Sequence, residues 1–107
     1  MGELIKQQRH FLRLFVQTTP SQRKALLQTV TKPQLRALSQ IAHNIIRGII
    51  PYNSSDRDSL KRDRRFVYLL GSRRLGLAHK RRLVQSKQRT LHHLLTIAET
   101  YLEPVLK

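Results

Sequence analysis

The sequence contains no cysteine and no tryptophan. Without cysteine there can be no disulfide and no thiolate metal site. Its four glycines stand alone at 2, 48, 71 and 76, so no glycine-rich loop is available to cradle a phosphate. Aromatic residues are few: Phe11, Phe15, Tyr52, Phe66, Tyr68 and Tyr101. No apolar run approaches the roughly 18 residues that cross a bilayer. Lys6, Arg9, His10 and Arg13 break up any apolar region of the kind a signal peptide carries. These absences predict a soluble protein, neither secreted nor transmembrane and indifferent to redox state.

Catalytic constellations are lacking too. The histidines lie at 10, 43, 79, 92 and 93. His92 and His93 are adjacent, so on a helix they point about 100° apart and cannot share a metal. Asp56, Asp58 and Asp63 are interleaved with arginines that would repel magnesium. No acid, histidine and hydroxyl stand in a pattern suggesting a hydrolytic triad. The expectation is a protein that is not an enzyme and needs no metal or cofactor.

Acidic residues are the scarcest resource of all. Six Asp and Glu oppose 21 Lys and Arg, for a net charge of +15 in 107 residues. Much of the excess falls between Ser55 and Arg89, which holds Arg57, Lys61, Arg62, Arg64, Arg65, Arg73, Arg74, Lys80, Arg81, Arg82, Lys87 and Arg89. A field of that size repels itself and calls for a polyanionic partner. Arginine dominates the set, which suits phosphate, because a guanidinium bonds it bidentately. Leu60, Phe66, Val67, Leu69 and Leu70 recur among these charges. The stretch therefore reads as a folded basic face and not as a basic tail. Tyr52 and Tyr68 are candidates for stacking on unpaired bases, whereas Phe66 reads as core.

Periodicity predicts an all-α fold, a compact bundle of four or five helices with a long C-terminal helix, in a single domain over 1–107. Leu4, Ile5, Phe11, Leu12, Phe15 and Val16 give an amphipathic helix over about 3–17. Thr19-Pro20 starts a second helix reaching about Val30, and Thr31 with Pro33 starts a third. The third carries the most regular apolar stripe, Leu35, Leu38, Ile41, Ala42, Ile45 and Ile46, and stops at Gly48. After an apolar connector, Ile49 to Asn53, Ser54 or Ser55 is expected to cap a fourth helix ending at Gly71. A turn over 72–76 leads to a last helix from Leu77 to about Leu102, before Pro104. The expected core is Leu12, Phe15, Leu26, Leu38, Ile41, Ile45, Val67, Leu70 and Leu83.

Three stretches carry a family resemblance. Lys24-Ala25-Leu26-Leu27 precedes Leu35-Arg36-Ala37-Leu38; Ala42-His43-Asn44-Ile45-Ile46-Arg47-Gly48-Ile49-Ile50-Pro51 forms a connector; Lys61 to Arg65 and Lys80 to Gln85 form two basic clusters. In this order they resemble a family of small basic proteins of Polinton or Maverick transposons and adintoviruses, over roughly two thirds of the chain. Members are thought of as virion core proteins, by analogy with the adenovirus peptide that condenses DNA. The resemblance implies a DNA-binding protein of a virion or host nucleus. Where that family continues with Gly-Gly and an apolar tail, this chain has Ser86-Lys87-Gln88-Arg89 and a helical pattern.

The expected function is non-enzymatic binding of nucleic acid, DNA before RNA, through phosphate contacts with little sequence readout. In that arrangement Lys61, Arg62 and Arg65 share the side opposite Leu60, Val67 and Leu70, and Arg81 and Arg82 open the next helix beside them. Three alternatives remain. Helix four, the turn and helix five could form a sequence-reading helix-turn-helix. The apolar side of 91–102 could mediate self-association in a structural or adaptor protein. The first helix could lie on an anionic membrane, the least favoured.

Overall fold

The computed structural model describes residues 2–48 and 54–106, with side chains over 3–48 and 55–99. All five expected helical stretches are present, and three of them are interrupted once. The first divides at Gln8 into α1 (Gly2–Gln7) and α2 (Arg9–Val16). The second and third are α3 (Pro20–Gln28) and α4 (Lys32–Ile46). The fourth divides at Asp63 into α5 (Ser54–Arg62) and α6 (Arg64–Gly71). The fifth divides at Lys87 into α7 (Leu77–Ser86) and α8 (Gln88–Leu106). Among the described residues there is no strand.

None of the three interruptions falls at proline or glycine. Gln8, Asp63 and Lys87 each leave helical geometry for one residue, with φ of −103°, −101° and −124°. Each break lets the two halves take different neighbours. The first half of the opening stretch packs on α4 and α8, its second half on α8. In the closing stretch α7 lies against α3, α4 and α6, whereas α8 lies chiefly against α1, α2 and α3. The last helix also runs past Pro104 to Leu106. Proline removes only one donor there, within two residues of the helix end.

The two middle helices begin as the sequence predicts. Thr19 Oγ1 accepts from the Gln22 amide at 3.4 Å, and Gln22 Oε1 accepts from the Thr19 amide at 2.9 Å. Thr31 and Gln34 repeat the reciprocal pair at 3.2 and 2.9 Å. Four orphan amides are thus satisfied without tertiary help. Gly48 follows α4 with φ +71°, the left-handed conformation expected of a stop. Ser54 and Ser55 lie within α5 and do not precede it; its cap position falls outside the described residues.

The core is built on α4. Leu35, Leu38, Ile41 and Ala42 are fully buried, and Ile45 nearly so. Around them close Phe11, Leu12 and Phe15 of α2, Leu27 of α3, Val67 and Leu70 of α6, Val84 of α7, and Leu91, Leu94 and Leu95 of α8. Leu26 and Leu83, expected inside, are half-buried and pack on its margin. The closest partner of α4 is α6. Gly71 makes that approach feasible. A Cβ built there would stand 2.8 Å from the backbone nitrogen of His43 and 3.0 Å from its Cα. The helix does end at Gly71, as expected, and the same residue lets two backbones meet with an ordinary negative φ.

Gly71→Ala should therefore lower stability by about 1–3 kcal/mol, the usual cost of forcing atoms into a packed contact. Thermal unfolding followed by circular dichroism reads the loss. An unchanged midpoint would mean that α4 and α6 do not meet at this residue.

Candidate nucleic-acid interface

The twelve predicted cations do not share one face. Ten are exposed or border open grooves, and two are turned inward. Lys80 is 4% exposed, and its Nζ donates to Ser39 Oγ on α4 at 2.6 Å. Arg81 is half-buried, and its guanidinium donates to the carbonyl of Val30. Beside it Gln85 Nε2 donates to the carbonyl of Leu27 at 3.0 Å. Leu27 and Val30 bracket the C-terminal end of α3, where carbonyls lack helical partners and a positive charge is favoured. Lys80 and Arg81 thus do not join the other ten cations on the exposed surface. They fasten α7 to α4 and α3, and Arg82 is the cation that α7 leaves exposed.

Six of the other ten gather around the α5–α6 ridge. Among the described residues α5 finds its main support in α6, and its Leu60 packs on the margin of the core. One flank carries Arg57, Lys61 and Arg64, bordering a groove with Ile45 and Ile46 of α4. Tyr68 joins them and is 63% exposed, an aromatic face beside cations. The opposite flank carries Arg62 and Arg65, which share a groove with Lys87 and Thr90 at the α7–α8 junction. The expected grouping of Lys61 with Arg62 and Arg65 is corrected, since the helix turns Lys61 to the other side. The partner of Arg62 and Arg65 is likewise Lys87 and not the start of α7. Phe66 is buried, as its pattern predicts, and Tyr52 lies outside the described residues.

Arg73 and Arg74 lie in the turn before α7, where the Arg74 amide donates to Ser72 Oγ at 3.2 Å. Arg73 borders a cleft with Arg36 and Lys80. Arg89 lies apart, with Arg23 and Pro20 of α3. Arg23 and Arg36 escape a reading centred on 55–89. They occupy the polar side of well-patterned helices, where a lone arginine carries no signal of its own.

The alternative surfaces fare differently. Leu91, Leu94, Leu95 and Ala98, the apolar side offered for self-association, are at most 1% exposed within the single chain. Tyr101 and Leu102 fall outside the described side chains. Phe11, Leu12 and Phe15, which would face a membrane, are core residues. No helix among the described residues is long and apolar enough to cross a membrane. No three His, Asp or Glu side chains among the described residues converge as metal ligands. His92 bonds the carbonyl of Val16 at 2.8 Å through Nε2 and packs its ring against Phe15. Compared with known proteins, the chain matches no family model, no curated protein and no solved structure.

Two consequences separate fastening cations from presented ones. Arg81→Met should cost about 1–3 kcal/mol of stability, because a charge-assisted bond to a helix-end carbonyl is lost. Arg82→Met should leave the unfolding midpoint within about 0.5 kcal/mol of the parent, as exposed substitutions do. Chemical denaturation of both variants checks the contrast, and equal losses would sink it.

Burial lowers the Lys80 pKa from its ordinary 10.5. Its charge therefore opposes folding fully below the folded pKa. As pH rises through that value the folded chain sheds a proton that the unfolded chain still holds, so stability should climb. The climb as pH rises toward 10.5 should be smaller in Lys80→Met than in Lys87→Met, which removes an exposed lysine. Identical pH profiles of the urea midpoint in the two variants would refute this role for Lys80.

Proposed function

We propose that the protein binds nucleic acid, DNA in the first instance, by clasping phosphates along the α5–α6 ridge without reading sequence. The observation that carries this reading is the placement of cations in two grooves that flank the α5–α6 pair, Arg57, Lys61 and Arg64 in one and Arg62, Arg65 and Lys87 in the other. A ridge charged on two sides can lie between two phosphate tracks and neutralise both. Apolar side chains line both grooves beside these cations, Ile45, Leu60 and Val67 in the first and Phe66, Leu69 and Leu83 in the second, which lowers the local dielectric and strengthens each contact, while Asp63 is the one acid among the described lining of the second. Tyr68 offers a stacking surface where bases are unpaired.

Sequence-specific reading by a helix-turn-helix draws less support. The second helix of such a pair would be α7, and two of its three consecutive cations are committed to α3 and α4. Only Arg82 is left to reach base edges, too little for a readout built on several bidentate contacts. Packaging of a genome in a virion core rests on the resemblance of the connector and basic clusters to the transposon and adintovirus proteins. Phosphate contacts without readout suit that task.

If six ridge cations each displace a counterion, log affinity for a random duplex should fall against log salt with a slope near −5. A slope shallower than about −2 would remove phosphate contact as the basis of binding. Paired Arg→Gln variants, matched in charge, locate the site. Neutralising Arg62 with Arg65, or Arg57 with Arg64, should weaken binding by about tenfold or more, and neutralising Arg9 with Arg13 by about twofold at most. Equal losses from all three pairs would leave only a polycation with no preferred face.

A further inference from the structure

A second cationic site lies away from the ridge, and its shape differs. Between α4, α6 and α7, with Leu4 of α1 at its edge, is a cleft of about 200 Å³. Arg36 and His43 line it from α4, Arg73 from the turn, and Lys80 from α7. Ser39 sits among them and holds the Lys80 ammonium at 2.6 Å. No carboxylate lines the cleft among the described residues. Two arginines, a lysine and a histidine therefore border one cleft with nothing acidic among its described lining residues.

Such convergence is costly unless an anion completes it. The Lys80 ammonium has three donors, and its one hydrogen bond among the described residues goes to Ser39. Burying an ammonium beside a neutral hydroxyl recovers little of the lost hydration. Ser39 accepts from Lys80 and keeps its own hydroxyl hydrogen to donate. Arg36 and Arg73 are both exposed, so their guanidinium forks are free to swing over the mouth. Gly71 forms part of the wall, its missing side chain leaving the backbones of α4 and α6 in contact.

We propose that this cleft binds a single phosphate monoester group, held by Arg36, Arg73 and Lys80 with Ser39 as a hydroxyl donor. The argument for a terminal phosphate over a chain phosphate is geometric. A phosphodiester has chain leaving it in two directions and needs an open track, which the ridge supplies. A cleft walled by α4, α6 and α7 and edged by α1 admits an end. Charge agrees with shape, since a monoester carries close to two negative charges at neutral pH. The inference does not rest on nucleic-acid binding by the ridge, because inorganic phosphate alone probes it.

The test is calorimetric titration of the full chain with inorganic phosphate, at constant ionic strength made up with chloride. Direct binding is read and not stability, because phosphate also favours compact states by exclusion from surfaces. One saturable site is expected. Arg36→Gln combined with Arg73→Gln should weaken it by about tenfold or more, the loss of charge-assisted contacts. Arg9→Gln combined with Arg13→Gln, which removes the same charge from α2, should leave it within about twofold. Arg36 and Arg73 are exposed, so that variant tests the site even if Lys80→Met fails to fold. Absence of saturable binding, or equal losses from the two pairs, would overturn the proposal.

A second arm identifies the source of the group. Single-stranded oligonucleotides with and without a 5′-phosphate are compared by competition against inorganic phosphate. Competition by the phosphorylated strand alone assigns the cleft to nucleic-acid ends. Saturable phosphate binding that neither strand displaces assigns it to a small phosphorylated molecule. Equal displacement by both strands would show that phosphate sits on the ridge, and would sink the cleft.

Discussion

The structure depends on the backbone contact between α4 and α6. A small domain has few apolar residues to spend, and here they must cover helices that are polar on most of their surface. The solution is to bring one helix pair so close that side chains from the remaining helices can close over both. Gly71 is the residue that allows it, because any Cβ would collide with His43. The contact also fixes everything upstream and downstream. It sets α6 where Arg65, with Arg62 at the end of α5, shares a groove with Lys87, and it makes one wall of the cleft between α4, α6 and α7.

Once α6 is seated, α5 has no deep berth left. It keeps a sparse apolar side, chiefly Leu60, and packs on α6 alone among the elements in close contact with it. That poverty is what makes it a ridge. A helix with a wide apolar stripe would lie down on the bundle and hide its arginines, whereas α5 holds them out on both sides. The cations of α7 take the opposite course. Its polar side meets the end of α3, and the exposed carbonyls there draw in Arg81 and Gln85. Charge that looks uniform along the chain is thus divided by neighbours into charge that binds the protein to itself and charge offered outward.

The two proposed sites follow from that division and differ in kind. The ridge sets its cations in two grooves along a helical pair, an arrangement for a polymer. The cleft is concave and gathers its cations at a point, an arrangement for one group. Arg73 belongs to the second although the sequence places it within the same basic stretch as the first.

What the sequence by itself determined is what local chemistry decides. The helical class, the two threonine starts, the stop at Gly48 and the apolar stripe of α4 are written in residues three or four apart, or in one residue's backbone preference. Such signals need no knowledge of the rest of the chain. The net charge and its concentration in 55–89 are equally legible. The tertiary structure alone decided where helices break and which cations are free. Gln8, Asp63 and Lys87 have no backbone peculiarity; each stretch divides there because its two halves bury their apolar sides against different neighbours. Lys80 and Arg82 look alike in the sequence, but one reaches Ser39, distant in the chain, and the other reaches solvent. Arg36 joins Arg73 and Lys80 only because α4, the turn and α7 converge. A side chain's own chemistry states what it can bind, and only the packed fold states what is within its reach.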